Sequence, residues 1–388
     1  MNRVGWALLV LVPLAFGYGF LSWRFTRYRV EGAQLRVEHG IVFRRSRDIR
    51  LDRVQAIEVI RPLAARLLGL AVLRFDMATG EKARSTLEYL GVGQAVAFRT
   101  ELLARGAGLA PEAGQAQQQV LYALSGRRLL GSIALSLSTW GWLIAAVATV
   151  VPLVTARTWA EVFAVALSLA TVLSATVLKR FAAEYSFTLA ESPDGMRISA
   201  GLLEYRHETV LPGRVQALRI DEPLLWRRMG WVRVRMNVAG QDAAGGSLLL
   251  PVAPRAQALA LLGRLWPGLD LDAVALTPPP RRACFLAPFW AARSGLGLDA
   301  QVVVSRRGLI VRRTMIIPHT KPQSLALTQN PLTRLLGLAR LHLHSTTGPV
   351  RVSARFRDLG EARTFLQTQA SSAQRPSRSG PCCSGCRG

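Results

Sequence analysis

A few places in the chain hold residue types that could do chemistry. His342 and His344 stand two apart, so on a strand they share one face and offer half a metal site. No carboxylate or thiol accompanies them, and an ordinary strand face is the expectation. Cys383-x-x-Cys386, with Cys382, closes a Ser/Arg/Gly/Pro-rich tail. One such pair is half a zinc site, and residues 371–388 are expected to be a disordered tail. His207-Glu208 lacks the second His of a zinc-protease helix, and Gly91-Val-Gly-Gln-Ala-Val lacks the third glycine of a nucleotide-binding turn. No catalytic residue, metal or cofactor is therefore expected, and the chain is expected not to be an enzyme.

What remains is cationic chemistry. The formal charge is +25, and of the 49 basic residues all but Lys82, Lys179 and Lys321 are Arg. With so much Ala, Leu and Gly, that ratio reflects codon bias more than function. Nucleic acid would require a basic face interleaved with stacking aromatics, yet aromatics make up 7% and many lie in apolar runs, so no nucleic-acid partner is expected. Anionic lipid is the better match. Arg near an anionic leaflet gains about 1 kcal/mol each. Arg24, Arg27, Arg29, Lys179 and Arg180 border apolar runs, while Arg306 and Arg307, with Arg312 and Arg313, flank Gly308. These are the candidate headgroup contacts. The competing expectation is that they orient the spans or form a solvated face.

The elements that position them begin with three apolar segments. Val4–Trp23, Leu129–Val154 and Trp159–Leu178 are each long enough for a ~30 Å hydrocarbon core. The last two are joined by four residues and form a hairpin, with Ser132, Ser136, Ala164 and Ser168 spaced for close packing. The only ionisable residue within these segments besides Arg157 in the loop is Glu161, so no ion path is expected. Basic flanks place residues 24–128 and everything after 179 in the cytoplasm, with the first span an uncleaved anchor. An upstream start would add a span and move the N-terminus inside. Four cysteines, three in the last seven residues, fit a reducing compartment.

Between the spans one phrase occurs three times. Aligned on Gln55, Gln216 and Gln323, the copies carry Gly40, Gly201 and Gly308 fifteen residues earlier. Arg66, Arg227 and Arg334 stand eleven later, and Gly69, Gly230 and Gly337 fourteen later. Apolar residues alternate after each Gln, predicting half-buried antiparallel strands. Pro62, Pro223 and Pro331 then stop the ladder and suit a first helical turn. The earlier glycines fit hairpins, and the later ones the left-handed position past a helix end. Each copy closes with a helix; Asp358 and Glu361 are spaced for a capping box on the third.

The thrice-used Gly hairpin, the basic-x-Gln strand and the Pro-Leu-x-x-Arg-x-x-Gly turn resemble bacterial membrane proteins with repeated pleckstrin-homology-like (PH-like) domains, of the YdbT type. The resemblance implies small PH-like β-sandwich or barrel units, each capped by a C-terminal helix. With the apolar segments above, the expectation is an α+β membrane protein of three transmembrane helices and three such units. That is a departure from family members, which usually begin with a pair of spans and often carry another between the last two units. The resemblance further implies a multi-pass protein of the bacterial inner membrane with cytoplasmic domains, non-enzymatic, acting as an interaction or assembly platform, with envelope stress as one setting. The alternatives are an anionic-lipid sensor and an accessory subunit of a transporter. Expected partners are inner-leaflet lipids and another membrane protein or a second copy. The expected layout is a transmembrane anchor at 1–23, PH-like domain 1 at 24–110, a linker at 111–128 and a transmembrane hairpin at 129–180. PH-like domain 2 follows at 181–272, then a Pro/Arg linker at 273–297 lying on the membrane surface, PH-like domain 3 at 298–370, and the tail. Fragments 181–272 and 298–370 are expected to fold alone.

Overall fold

The computed structural model describes residues 27–31, 34–39, 45–50, 54–62, 65–66, 68–77, 84–91, 93–94, 119–156, 159–192, 195–239, 248–346 and 348–373. The expected first span, Arg24, Gly40, the closing helix of the first repeat and the cysteine tail lie outside them. The chain divides into two compact units, residues 1–120 with 190–209, and residues 121–189 with 210–388. The division falls inside the second repeat, because sheets are shared between repeats.

In the first unit, β1 (Arg27–Glu31), β2 (Gln34–His39) and β3 (Arg45–Arg50) make a three-stranded antiparallel meander. Next come β4 (Val54–Pro62), β5 (Leu70–Met77) and β6 (Arg84–Gly91). β4 ends at Pro62, which has no N–H for the ladder. Beyond β7 (Gln119–Ala123) and the helices of the second unit, the chain supplies β8 (Thr188–Ser192), β9 (Gly195–Ala200) and β10 (Glu204–Val210). These do not form a sheet of their own. The strand order is β6-β5-β4-β10-β9-β8-β7, so the second repeat's hairpin docks on the first repeat's β4.

The second unit opens with α1 (Gly126–Ala134), α2 (Leu137–Ala156) and α3 (Trp159–Glu184). The expected continuous span at Leu129–Val154 is broken, with α1 and α2 bent by 45°. α1 is amphipathic and buries Leu129, Ser132 and Ile133. The stretch Phe163–Glu184, with mean hydropathy 1.5, is the one described helix long and apolar enough to cross a membrane; α1 and α2 make a second only if the bent pair is one span. Three spans are thus not found among the described residues.

The second repeat continues with β11 (Val215–Pro223), α4 (Leu224–Arg228), β12 (Trp231–Val238), β13 (Leu248–Pro254) and α5 (Arg255–Leu265). Residues 273–297 are more than a linker. They contain β14 (Leu276–Thr277), a 3-10 turn at Arg281–Phe285, α6 (Pro288–Ala291) and most of β15 (Gly295–Leu298). With β16 (Val302–Arg307) and β17 (Val311–Pro318) they extend the preceding sheet to β13-β12-β11-β17-β16-β15-β14. The chain then forms β18 (Ser324–Thr328), α7 (Pro331–Leu335), β19 (Leu338–His344), β20 (Val352–Asp358) and α8 (Leu359–Ala373). β18, β19 and β20 are a separate three-stranded sheet.

The third repeat is a two-sheet sandwich. Val303, Met315 and Ile317 of one sheet meet Leu341, Leu343 and Val352 of the other, and Ala362 and Phe365 of α8 close the end. Each large apolar side chain buried this way contributes about 1.5–3 kcal/mol. Asp358 caps α8, accepting from the Gly360 amide at 2.9 Å. Glu361 does not complete a capping box; its carboxylate pairs with the buried Arg357, whose guanidinium also donates to the Thr277 carbonyl of β14 at 2.8 Å.

The two shared sheets are joined in one register. In the first, Glu204 faces Pro62 and Tyr205 faces Arg61; in the second, Val311 faces Pro223 and Arg312 faces Glu222. Counted from the repeat glycines Gly201 and Gly308 and from Gln55 and Gln216, these are the same positions. Because β11 needs β17, the expectation that fragments cut at 272 and 298 fold alone loses its physical basis.

Candidate anion-binding groove

The repeat-defining residues organise turns and junctions. Gly201 and Gly308 have φ +120° and +107°, and a Cβ there would collide with the carbonyl oxygens of Glu204 and Val311. Gly69, Gly230 and Gly337 sit at φ +67°, +65° and +61°, the left-handed position past a short helical turn. Arg66 and Arg227 reach out of their own repeats. Arg66 donates to the Leu202 carbonyl at 3.4 Å, and Arg227 to those of Leu309 and Ile310 at 2.8 and 3.1 Å. Each grips the hairpin turn of the next repeat. The Gln216 amide donates to the Arg214 carbonyl at 3.4 Å, and the Gln323 backbone N–H to the His344 carbonyl at 2.7 Å. For Gln55 only its place on β4 is described.

The basic residues expected to meet lipid separate sharply. Arg27 and Arg29 lie on β1. Lys179 is exposed on α3. Arg180 instead turns into the protein, 3.5 Å from Glu184 and 3.3 Å from the Ser132 hydroxyl, with its guanidinium 5.5 Å over the Trp226 ring. Trp226 Nε1 donates to the Ser132 carbonyl at 3.2 Å, and Glu184 also pairs with Arg233. Arg180 therefore clasps α3 to α1 and α4, with Glu184 carrying the link on to β12, and is not a free headgroup contact. Ser132 likewise serves this clasp and not a hairpin seam.

Arg306, Arg307, Arg312 and Arg313 divide by strand alternation onto two faces. Arg312 lies 3.3 Å from Glu222, which Arg255 approaches at 3.5 Å, while Arg255 also binds Asp272 at 2.5 Å. Arg306 lines the same hollow. There the cations have carboxylates. On the other face Arg307 and Arg313 are cross-strand partners, and Arg219, Arg340 and Arg355 crowd Arg307 as well, while the buried Asp221 pairs with Arg219 and Arg313 and lies 3.9 Å from Arg235. Arg219 and Arg313 stand 3.1 and 3.7 Å from Asp221. Arg307 donates to the Ser353 hydroxyl at 3.1 Å. Burial first, and then Arg355, Arg313, Arg219 and Arg340, push its guanidinium down to about 10. The same crowding, after burial, holds His342 below its ordinary value.

This face opens into a groove of about 430 Å³ lined by Arg307, Arg313 and Arg355 and walled by Trp290, Ile310 and Phe356. Trp290 comes from α6, which is pinned by Ala283 and Ala291 in a small cluster with Leu338. Phe285 and Phe289 beside it are 86% and 67% exposed. Cations above an apolar wall suit an anion carried on a greasy body. Arg340, Arg355 and Trp290 carry no local signal in the sequence. They stand far apart along the chain, and only the pairing of β19 with β20 and the placement of α6 bring them to Arg307. His342 and His344 stack with centroids 5.9 Å apart, and no group of three or more potential metal ligands occurs among the described residues. His207 binds the Ser199 hydroxyl at 2.7 Å.

A repeated sandwich of this kind, with a short helix closing the end, defines a PH-like module. The family model for the bacterial PH domain matches residues 3–106, 128–268 and 268–373, and the chain belongs to that family. Among known proteins it is similar to the UPF0699 transmembrane protein YdbT of Bacillus subtilis (strain 168), with 25% identity over 268 residues, 60% of this chain and 54% of that protein. The match thus spans about half the relative's length.

Proposed function

We propose that the protein is a non-enzymatic platform of the bacterial inner membrane, multi-pass, with its PH-like repeats in the cytoplasm. The groove of the third repeat holds an anionic headgroup while the joined sheets present partners. The observation that carries this reading is the crowding of guanidinium groups, with Arg219, Arg313, Arg340 and Arg355 all pressing on Arg307, beside the exposed Phe285, Phe289 and Trp290. An anion would relieve repulsion that the fold leaves standing, and the aromatic rings would lie at the acyl boundary. The transmembrane designation of the YdbT relative supports the membrane placement.

The test is native mass spectrometry of the full chain in neutral detergent, with phosphatidylglycerol or phosphatidylcholine added at equal concentration. Phosphatidylglycerol should be retained preferentially, and the Arg313→Ser/Arg355→Ser double variant should lose that preference. Equal retention of the two lipids, or an unchanged preference in the variant, would overturn the reading.

A further inference from the structure

Two junctions between repeats follow one rule, and the chain's last repeat carries half of a third junction. β4 and β11 each receive the hairpin strand of the next repeat, β10 and β17, in identical register. At each, the repeat arginine binds the carbonyl just after the incoming hairpin glycine. β18 is the third member of that strand class, yet among the described residues it ends a three-stranded sheet. Its surface shows what is missing. Leu218, Asp221 and Glu222 on β11 are buried, whereas the equivalent Leu325 is half-buried, and Thr328 and Gln329 are exposed. Leu225 is half-buried while its counterpart Leu332 is 61% exposed. Arg334, the counterpart of Arg66 and Arg227, is exposed and has no hairpin carbonyl among the described residues.

The complementary half is also in the chain. β3 belongs to the class of β10 and β17 and likewise ends a three-stranded sheet among the described residues. The strand that docks on β11 begins Gly308-Leu-Ile-Val-Arg-Arg-Thr314, and the first repeat reads Gly40-Ile-Val-Phe-Arg-Arg-Ser46. We propose that β18 and Arg334 of one copy receive β3 of a second copy, with Thr328 opposite Arg45, so that copies join head to tail. Main-chain pairing supplies the contact, as in strand addition to an open edge. The interface is heterologous, so copies close into a ring or extend in a row. This inference rests on strand pairing and is independent of the anion groove.

The experiment uses the full chain with Cys284, Cys382, Cys383 and Cys386 changed to Ser, co-expressed as two differently tagged copies. One carries Thr328→Cys and the other Arg45→Cys. Facing strand positions lie within disulfide reach, so mild oxidation in membranes should yield an adduct bearing both tags. Pairing Thr328→Cys with Asp48→Cys, three residues out of register, should yield several-fold less. Arg334→Ala, at an exposed site, should lower the in-register adduct several-fold while leaving expression and melting temperature unchanged. No two-tag adduct, or equal adduct in and out of register, would overturn the proposal. So would an undiminished adduct in the Arg334→Ala chain.

Discussion

Replacing Arg307 by Gln should stabilise the protein at low salt while weakening its hold on anions. A guanidinium pushed down from its ordinary value to about 10 carries about 3 kcal/mol of unfavourable interaction in its charged form. The side chain is partly exposed, and solvent screening reduces that to about 1 kcal/mol. Against it stands the charge-assisted bond to Ser353; a Gln amide can keep a neutral version of it, so the net loss is about 0.5–1 kcal/mol. At low ionic strength, where the Debye length is ~30 Å, repulsion wins and the variant should melt a few degrees higher. At ~0.5 M salt the share due to repulsion should vanish and the advantage shrink, leaving only the share due to burial, which salt does not screen. Because the folded value lies below the unfolded one, the penalty is fully present below about pH 10 and fades only above it. Thermal unfolding of the full chain in neutral detergent at two salt concentrations measures the difference. A variant no more stable than the parent at low salt, or a difference that ignores salt, would refute the reasoning.

Gly308→Ala should cost on the order of 3 kcal/mol, because strain at φ +107° adds to a collision with the Val311 carbonyl. Gly337→Ala, whose nearest neighbour is the flexible Arg282 end at 3.4 Å, should cost only about 1 kcal/mol by the same melting assay. His342, held below its ordinary 6.5 by burial and then by Arg340, should make stability fall as pH drops through 6.5, since the unfolded chain takes the proton more readily. His342→Gln should flatten that slope, and an unchanged slope in a pH-melting series would remove His342 as its cause.

The turn chemistry is legible in the sequence because it is local. Gly201, Gly230, Gly308 and Gly337 announce positive φ by identity and spacing alone, and Pro223 marks where β11 ends. Strand partnership is not local, so nothing in β11 alone names β17 as its neighbour. β15 is hidden for a related reason. Its sequence Gly295-Leu-Gly-Leu298 has poor strand propensity, but a Cβ at Gly297 would stand 2.6 Å from Val274, so close approach excludes the residues that would have advertised a strand. Hydropathy likewise sees α1 and α2 as one apolar run. It cannot see that Leu129, Ser132 and Ile133 are committed to the folded core and force the bend.

The candidate site obeys the same division between local and shared. Adjacent arginines at 306–307 and 312–313 look like one basic patch, but successive residues on a strand face opposite ways. Arg306 and Arg312 lie by Glu222, whereas Arg313 meets Asp221 and Arg307 the Ser353 hydroxyl, both among crowding cations. The charge cluster behind the groove also draws on two repeats at once, Arg219 and Asp221 from β11 and Arg307, Arg313 and Arg355 from the third repeat. The equivalent positions at the first junction are Glu58 and Ile60 on β4, with Ala200 and Arg206 beside Gly201. A Glu replaces one Arg, an Ala replaces another, and the central carboxylate is gone. Repetition of the fold therefore does not repeat the site. Transplanting the third repeat's hairpin onto β4 would carry over Arg307 and Arg313 but leave Glu58 in place of Arg219, so the surplus of positive charge would be partly cancelled.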